Sequence, residues 1–171
     1  MGPSKVSQGA RVPLGEHEDR GAGLELLYTK VAVDLQSLSL ENAEQRIKAS
    51  LQVLTDATGC DAVFIALFDP DSGELHTVYS GRAVFAVCNP EVLRGTNAKD
   101  IPYLTQHLDH MRLVEIADTD QPAARQRADA EVLAKLKIGA LIGVGFEAGP
   151  GYRGLLGVCS GSARPRWGAD L

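Results

Sequence analysis

Tyr103, His107 and His110 bring a phenol and two imidazoles onto one short stretch. A helix there would set Tyr103 and His107, four residues apart, on the same face. Such groups line pockets and hydrogen-bond small molecules, or else form half-exposed surface. They do not read as a metal site, because three of the four histidines fall in different elements and no His, Asp or Glu set converges at ligand spacing. Gly139, Gly143 and Gly145 share one parity, so a strand would turn all three to one side and leave that side bare. Two readings stay open there: a ligand lying against the bare backbone, or a helix or bulge packed tightly onto it. Asp118 and Asp120 could bind a ligand amine or cap the helix that follows. Arg82, Arg125 and Arg127 could charge a pocket rim, although Arg125-Gln126-Arg127 also reads as a solvated helix face.

Cys60, Cys88 and Cys159 are odd in number and form no C-x-x-C pair. That argues against a zinc or redox motif and predicts free thiols in a reducing compartment. No G-x-S-x-G, P-loop or H-E-x-x-H run is present, so a non-enzymatic domain is expected, with no cofactor or metal required by the sequence. The net charge is -5 and the one local basic cluster is Arg164 to Arg166, which excludes nucleic acid as the main partner, since phosphate binding needs a concentrated basic face. No stretch approaches the ~20 apolar residues of a membrane span. The N-terminus lacks the pattern of a secretory signal. A cytoplasmic domain with no direct membrane insertion is expected.

The elements that must position these residues follow from periodicity. With 171 residues, 44% of them hydrophobic, the chain can bury one domain core. Residues 1–23 are polar and Gly-rich and read as a flexible lead-in. Leu24, Leu27, Val31, Leu35 and Leu38 then form one helical stripe. Ser39 opens a second helix whose apolar face is Ala43, Ile47, Leu51 and Leu54, and Gly59 ends it. The unbroken run Ala62–Phe68 predicts a central strand buried on both faces. Asp69-Pro70-Asp71-Ser72-Gly73 turns it into a second strand, Leu75–Ser80, with Leu75, Thr77 and Tyr79 on one side and His76 and Val78 on the other. Asn89-Pro90 and Asp100-Ile101-Pro102 are short-helix starts. A strand over residues 111–116 follows, then a helix opened by Gln121-Pro122 with apolar positions Ala128, Val132, Leu133 and Leu136, then strands over 140–146 and 154–160. Helices before and between antiparallel strands predict an α+β fold: a central antiparallel sheet with helices on one face and short helices over a pocket on the other.

The hairpin DAVFIALFDPDSGELHTVYS, then MRLVEIADTD, then LAKLKIGALIGVGF and GLLGVCSGSARPRW resemble a GAF domain over residues 24–171. Ile101-Pro102-Tyr103 resembles that family's short helix over the pocket, Asp118 the acid ending its middle strand, and Trp167 with Asp170-Leu171 the step into its final helix. The resemblance therefore implies a domain cut before that helix. The chain departs from the family at Lys137-Ile138-Gly139-Ala140 and at Gly145, where a Gly-hydrophobic-Arg-Ser run and a proline are usual. The polar, cationic pocket edge is thus missing at that place. The cyclic-nucleotide Asn-Lys-Phe signature is not found, and the Cys-His pair of covalent bilin attachment is absent because Asn89 follows Cys88.

The resemblance implies a sensory domain of signal transduction. A small ligand would lie between the sheet and the short helices of residues 82–110, with Tyr79, Phe85, Tyr103, His107, Asp118, Gly139, Leu141 and Gly143 as its binding residues. The domain would relay to an output domain in the same polypeptide, of histidine kinase or cyclic-di-GMP synthesis or degradation type. The alternative is a ligand-free dimerisation module, a homodimer joined through Leu24, Leu27, Val31 and Leu35. Some GAF proteins reduce free methionine-R-sulfoxide with three cysteines, but the sequence around Cys60, Cys88 and Cys159 does not resemble that enzyme's. The reductase reading therefore stands behind the other two.

Overall fold

A computed structural model describes residues 42–163, apart from Phe85, Met111 and Pro150. The predicted stripe of Leu24, Leu27, Val31, Leu35 and Leu38, the cap Ser39, and the segment holding Arg164, Arg166, Trp167, Asp170 and Leu171 lie outside the described residues.

Helix α1 (Ala43–Thr58) ends at Gly59, whose φ of 63° is the left-handed geometry that glycine adopts without strain, and whose N–H donates to the Thr55 carbonyl. Its buried positions are Ser50, Leu51 and Thr55, while Ile47 and Leu54 stay half-buried. Strands β1 (Ala62–Phe68), β2 (Leu75–Arg82), β3 (Leu113–Ile116), β4 (Ala140–Gly149) and β5 (Tyr152–Ser160) form one antiparallel sheet in the order β2-β1-β5-β4-β3. Between β2 and β3 lie two 3-10 helices, Pro90–Leu93 and Ala98–Asp100, and helix α2 (Pro102–Leu108). A third 3-10 helix, Ala124–Gln126, leads into helix α3 (Arg127–Lys135). The fold is α+β, as the pattern of elements predicts.

The two sheet faces differ. Phe64, Val78, Ile116, Leu141, Leu155 and Cys159 face the short helices and pack with Leu93, Ile101, Leu104 and Leu133 into one core. Among the described residues, the opposite face carries α1, which packs on β1 and β2. There the Val63 N–H donates to the Thr55 hydroxyl at 3.0 Å, and the Gln52 amide grips both backbone groups of Arg82 at 3.0 Å each. One row crosses that face by strand register: Tyr79, Ile65, Leu156, Val144 and Leu113. At its far end Leu113 is 64% and Leu156 37% exposed.

Three sequence expectations change. The strict alternation of β2 fails because the register slips by one residue between Leu67/Thr77 and Phe68/Leu75. His76 is the extra residue of this bulge, so Leu75 and Val78 both reach the core. The run Ala62–Phe68 is central, yet Ile65 and Leu67 are only half-buried. In α3 the buried positions are Asp129, Ala130 and Leu133, whereas Ala128 is exposed.

The glycines mark close backbone approach. A Cβ on Gly81 would sit 2.3 Å from the Gln52 N of α1, and one on Gly145 would sit 2.6 Å from the Leu108 Cα at the end of α2. Both layers of helix therefore rest directly on bare strand backbone, one on each face.

Candidate ligand-binding groove

Helix α2 begins with Pro102, whose fixed φ suits a first helical turn. Ile101 precedes it and has no side chain able to cap. The free N–H groups of that turn are instead satisfied from another element: the Asp129 carboxylate accepts the N–H of Tyr103 at 3.1 Å and of Leu104 at 2.7 Å. Asp100 does not serve as this cap. Asp129 is wholly buried. Burial pushes its carboxyl above the usual range, and the two N–H bonds pull in the opposite direction.

With its start held, α2 sets Tyr103, buried at the edge of the core, beside the half-buried His107. Their ring centroids lie 4.4 Å apart. The His107 Nδ1 donates to the Tyr103 carbonyl at 2.7 Å. Arg112 is tied to the end of the same helix, its N–H donating to the His107 carbonyl at 3.0 Å. Arg125 arrives from the 3-10 helix Ala124–Gln126, its guanidinium 5.3 Å from the Tyr103 ring centroid. That short helix is pinned to β3 by the Gln126 amide, which donates to the Glu115 carbonyl at 2.7 Å.

These residues enclose a groove of about 430 Å³ lined by Pro102, Tyr103, Gln106, His107, His110, Arg112 and Arg125. Among the described residues no carboxylate lines it. The nearby Asp109 is engaged by Arg153 in an ion pair. Two guanidinium groups, two imidazoles and an amide thus face one opening over an aromatic floor. Chemically this suits an oxyanion carried on a planar or conjugated molecule. Among the described residues no group of three His, Cys, Asp or Glu could hold a metal ion.

The predicted site residues separate. Tyr103 and His107 meet in the groove. Asp118 lies in the turn after β3, accepting the N–H groups of Asp120 at 2.8 Å and Gln121 at 3.3 Å. Tyr79 sits on the far face of the sheet, its ring centroid 5.9 Å from the Lys48 Nζ of α1. Leu141 is fully buried in the core. The side of β4 expected to be bare is filled by protein: Leu155 occupies the space over Gly143, and the Gly161 carbonyl lies 2.7 Å from where a Gly139 Cβ would be. Phe85 is outside the described residues. Cationic groups, missing from the β4 entry, gather instead at Arg112 and Arg125.

Sequence reasoning passed over Arg112 and Asp129. Arg112 carried no local signal. Asp129 had an indirect one: a proline-started helix with Ile101 before it needs an acceptor from elsewhere.

No family model and no curated protein matches the chain. Solved structures do. The phycocyanobilin-bound GAF domain from a cyanobacterial phytochrome superposes with a TM-score of 0.63 at 19% identity, over 83% of this chain and 82% of that one. The phycoerythrobilin-bound GAF domain from a cyanobacterial phytochrome gives 0.63 at 18%, over 85% and 86%. The chromophore-binding domain of Stigmatella aurantiaca phytochrome P1 gives 0.54 at 19%, over 93% of this chain and 56% of that one. The fold is that of a GAF domain.

Proposed function

We propose that this GAF-fold domain is a sensory module that binds a small anionic, conjugated molecule in the α2 groove. The observation that carries the reading is the convergence of Arg112 and Arg125 around Tyr103 and His107, with no carboxylate among the described lining residues. The likeness to bilin-bound GAF domains supports a linear tetrapyrrole as the first candidate. Asn89 follows Cys88, and Cys88 is fully buried, so a bilin here would be held without a covalent bond. Tyr103 and His107 would contact the ligand's conjugated plane, and the two arginines its carboxylates. Of the other binding residues expected from sequence, Tyr79, Asp118, Gly139, Leu141 and Gly143 are outside this groove.

In this reading the isolated domain catalyses nothing. Ligand binding biases an output domain in the same polypeptide, of histidine kinase or cyclic-di-GMP synthesis or degradation type, through the apolar stripe of residues 24–38. It does so only as far as the ligand binds two states unequally. The test is titration with biliverdin followed by absorbance, beside a thermal-shift series of small carboxylates and phosphates. A ligand at 100 times its dissociation constant adds about 2.7 kcal/mol of stability. Flat responses across the whole series would remove the sensory reading.

A second reading is a cytoplasmic homodimerisation module. The open row end formed by Leu113, Val144 and Leu156 favours it, because it leaves apolar surface beside α1 uncovered among the described residues. Leu24, Leu27, Val31 and Leu35 would supply the helix that packs there or across a dimer.

A further inference from the structure

The chain has three cysteines, and the fold places two of them in contact: the Cys88 and Cys159 sulfurs lie 3.2 Å apart as free thiols, and both residues are fully buried. They come from segments 71 residues apart. Cys159 is fixed on β5, in register with Ala62 of β1 on one side and Leu141 of β4 on the other. Cys88 lies in the connection between β2 and the 3-10 helix Pro90–Leu93, beside Val84 and Val87, which are 91% and 70% exposed. Cys60 packs with Ala140, Ile142 and Val158, on the opposite side of the sheet.

We propose that Cys88 and Cys159 are a redox modification site: a hydroperoxide converts them to a reversible disulfide that fastens the connection at Cys88 to β5, the middle strand of the sheet. A disulfide needs the sulfurs at about 2.05 Å, so they must approach by roughly 1 Å. The strand ladder holds Cys159, and the connection supplies the movement. The Cys159 hydrogen bond lowers the pKa of the Cys88 thiol, while that same bond and burial keep Cys159 protonated. Cys88, on the connection rather than on a strand, is the attacking thiolate. It is reached by local opening of its exposed connection. It attacks one peroxide oxygen, the O–O bond breaks, and the alcohol (water for hydrogen peroxide) leaves with a proton, giving Cys88 sulfenic acid. The Cys159 sulfur then attacks the Cys88 sulfur, the S–O bond breaks, and water leaves with the Cys159 proton. Two thiols lose two electrons, and the peroxide gains them. A dithiol reductant reverses the step by exchange.

The site stands independently of the ligand groove. The test treats the full chain with hydrogen peroxide and counts thiols after denaturation. The expected count falls from three to one, a Cys88–Cys159 cross-linked peptide appears, and dithiothreitol restores all three thiols. Cys60→Ser should still lose two thiols, and Cys88→Ser should lose none. Cys159→Ala, the variant that keeps the core site apolar, should likewise form no intramolecular disulfide. Three thiols surviving peroxide, a link to Cys60, a disulfide between chains, or thiol loss in Cys88→Ser would each overturn the proposal.

Discussion

The Asp129 carboxylate on α3 accepts the backbone N–H of Leu104 on α2 at 2.7 Å, with no water-exposed surface at the aspartate. One side chain thus fixes the start of the helix that carries the groove. Asp129→Ala leaves two buried N–H groups without an acceptor and should lower stability by about 2 kcal/mol, on the scale of bonds to a charged group. Asp129→Asn retains one oxygen and should cost less. Urea denaturation of both variants checks this. Two variants within 0.5 kcal/mol of the parent, a margin about that of an ordinary surface change, would show that the cap is dispensable.

The pH dependence has a definite sign. The folded pKa of Asp129 is raised, so between its unfolded value of about 3.9 and that raised value the native state holds a proton that the unfolded state has lost. Its contribution to stability is therefore present at acid pH and declines as pH rises through the folded pKa. Asp69 behaves oppositely. Its folded pKa is lowered by the Ser72 hydrogen bonds, so its contribution is present above the unfolded pKa and is lost as pH falls through the folded one. Wild-type stability measured relative to Asp129→Asn should fall as pH is raised from 3 toward 7, a range that spans the carboxylate titration. A difference that stays flat or rises contradicts the assignment.

Gly145→Ala tests the seat of α2. Its new Cβ would meet the Leu108 backbone at 2.6 Å, which no rotamer relieves. The helix end must shift, and overpacking of this kind costs about 1–3 kcal/mol. Because α2 carries Tyr103 and His107, ligand affinity should drop along with the melting temperature. Unchanged affinity in a destabilised variant would separate the groove from this contact.

In the groove itself, Arg112→Gln with Arg125→Gln should weaken an anionic ligand roughly 100-fold or more, since each of the two charge-assisted bonds contributes about 1.5–3 kcal/mol. Calorimetric titration at two salt concentrations reads both the loss and a reduced salt dependence. Equal affinity in parent and double variant would move the binding site elsewhere.

Leu113→Lys with Leu156→Lys places charge on the open end of the sheet row. If that face joins two copies, light scattering should find the variant more dissociated than its parent. An unchanged mass would restrict the interface to other surfaces.

Local patterns in the sequence were enough for the framework. Gly59, the Ala62–Phe68 run, and Asn89 with its side-chain cap on Glu91 each act within a few residues, so their signals are short-range. The bulge at His76 was not legible, because alternation around Leu75, Thr77 and Tyr79 is equally good in either register and the partner strand decides. The groove was half legible. Tyr103 and His107 share a helix face, which spacing reveals. Arg125 and Asp129 join them only through the packing of α3 and its preceding turn, whereas Arg112 is brought in by the turn that leaves α2, and a polar helix with Asp129 reads as solvated until its neighbour's missing cap is counted. The Cys88–Cys159 contact is the longest-range of these and left no mark in the spacing.

The strand order also governs how the chain is made. β5, the last of the five in sequence, lies between β1 and β4, and its Cys159 pairs with Ala62 near the start of β1. During synthesis the β1–β2 hairpin can form early from neighbouring residues, but it then waits with the inner edge of β1 unpaired. That edge is a run of apolar residues with open hydrogen-bonding groups, the kind of template that captures other nascent chains. The interval before β5 emerges is thus when the protein is most exposed to aggregation, and a slowly translated β3–β4 region would lengthen it.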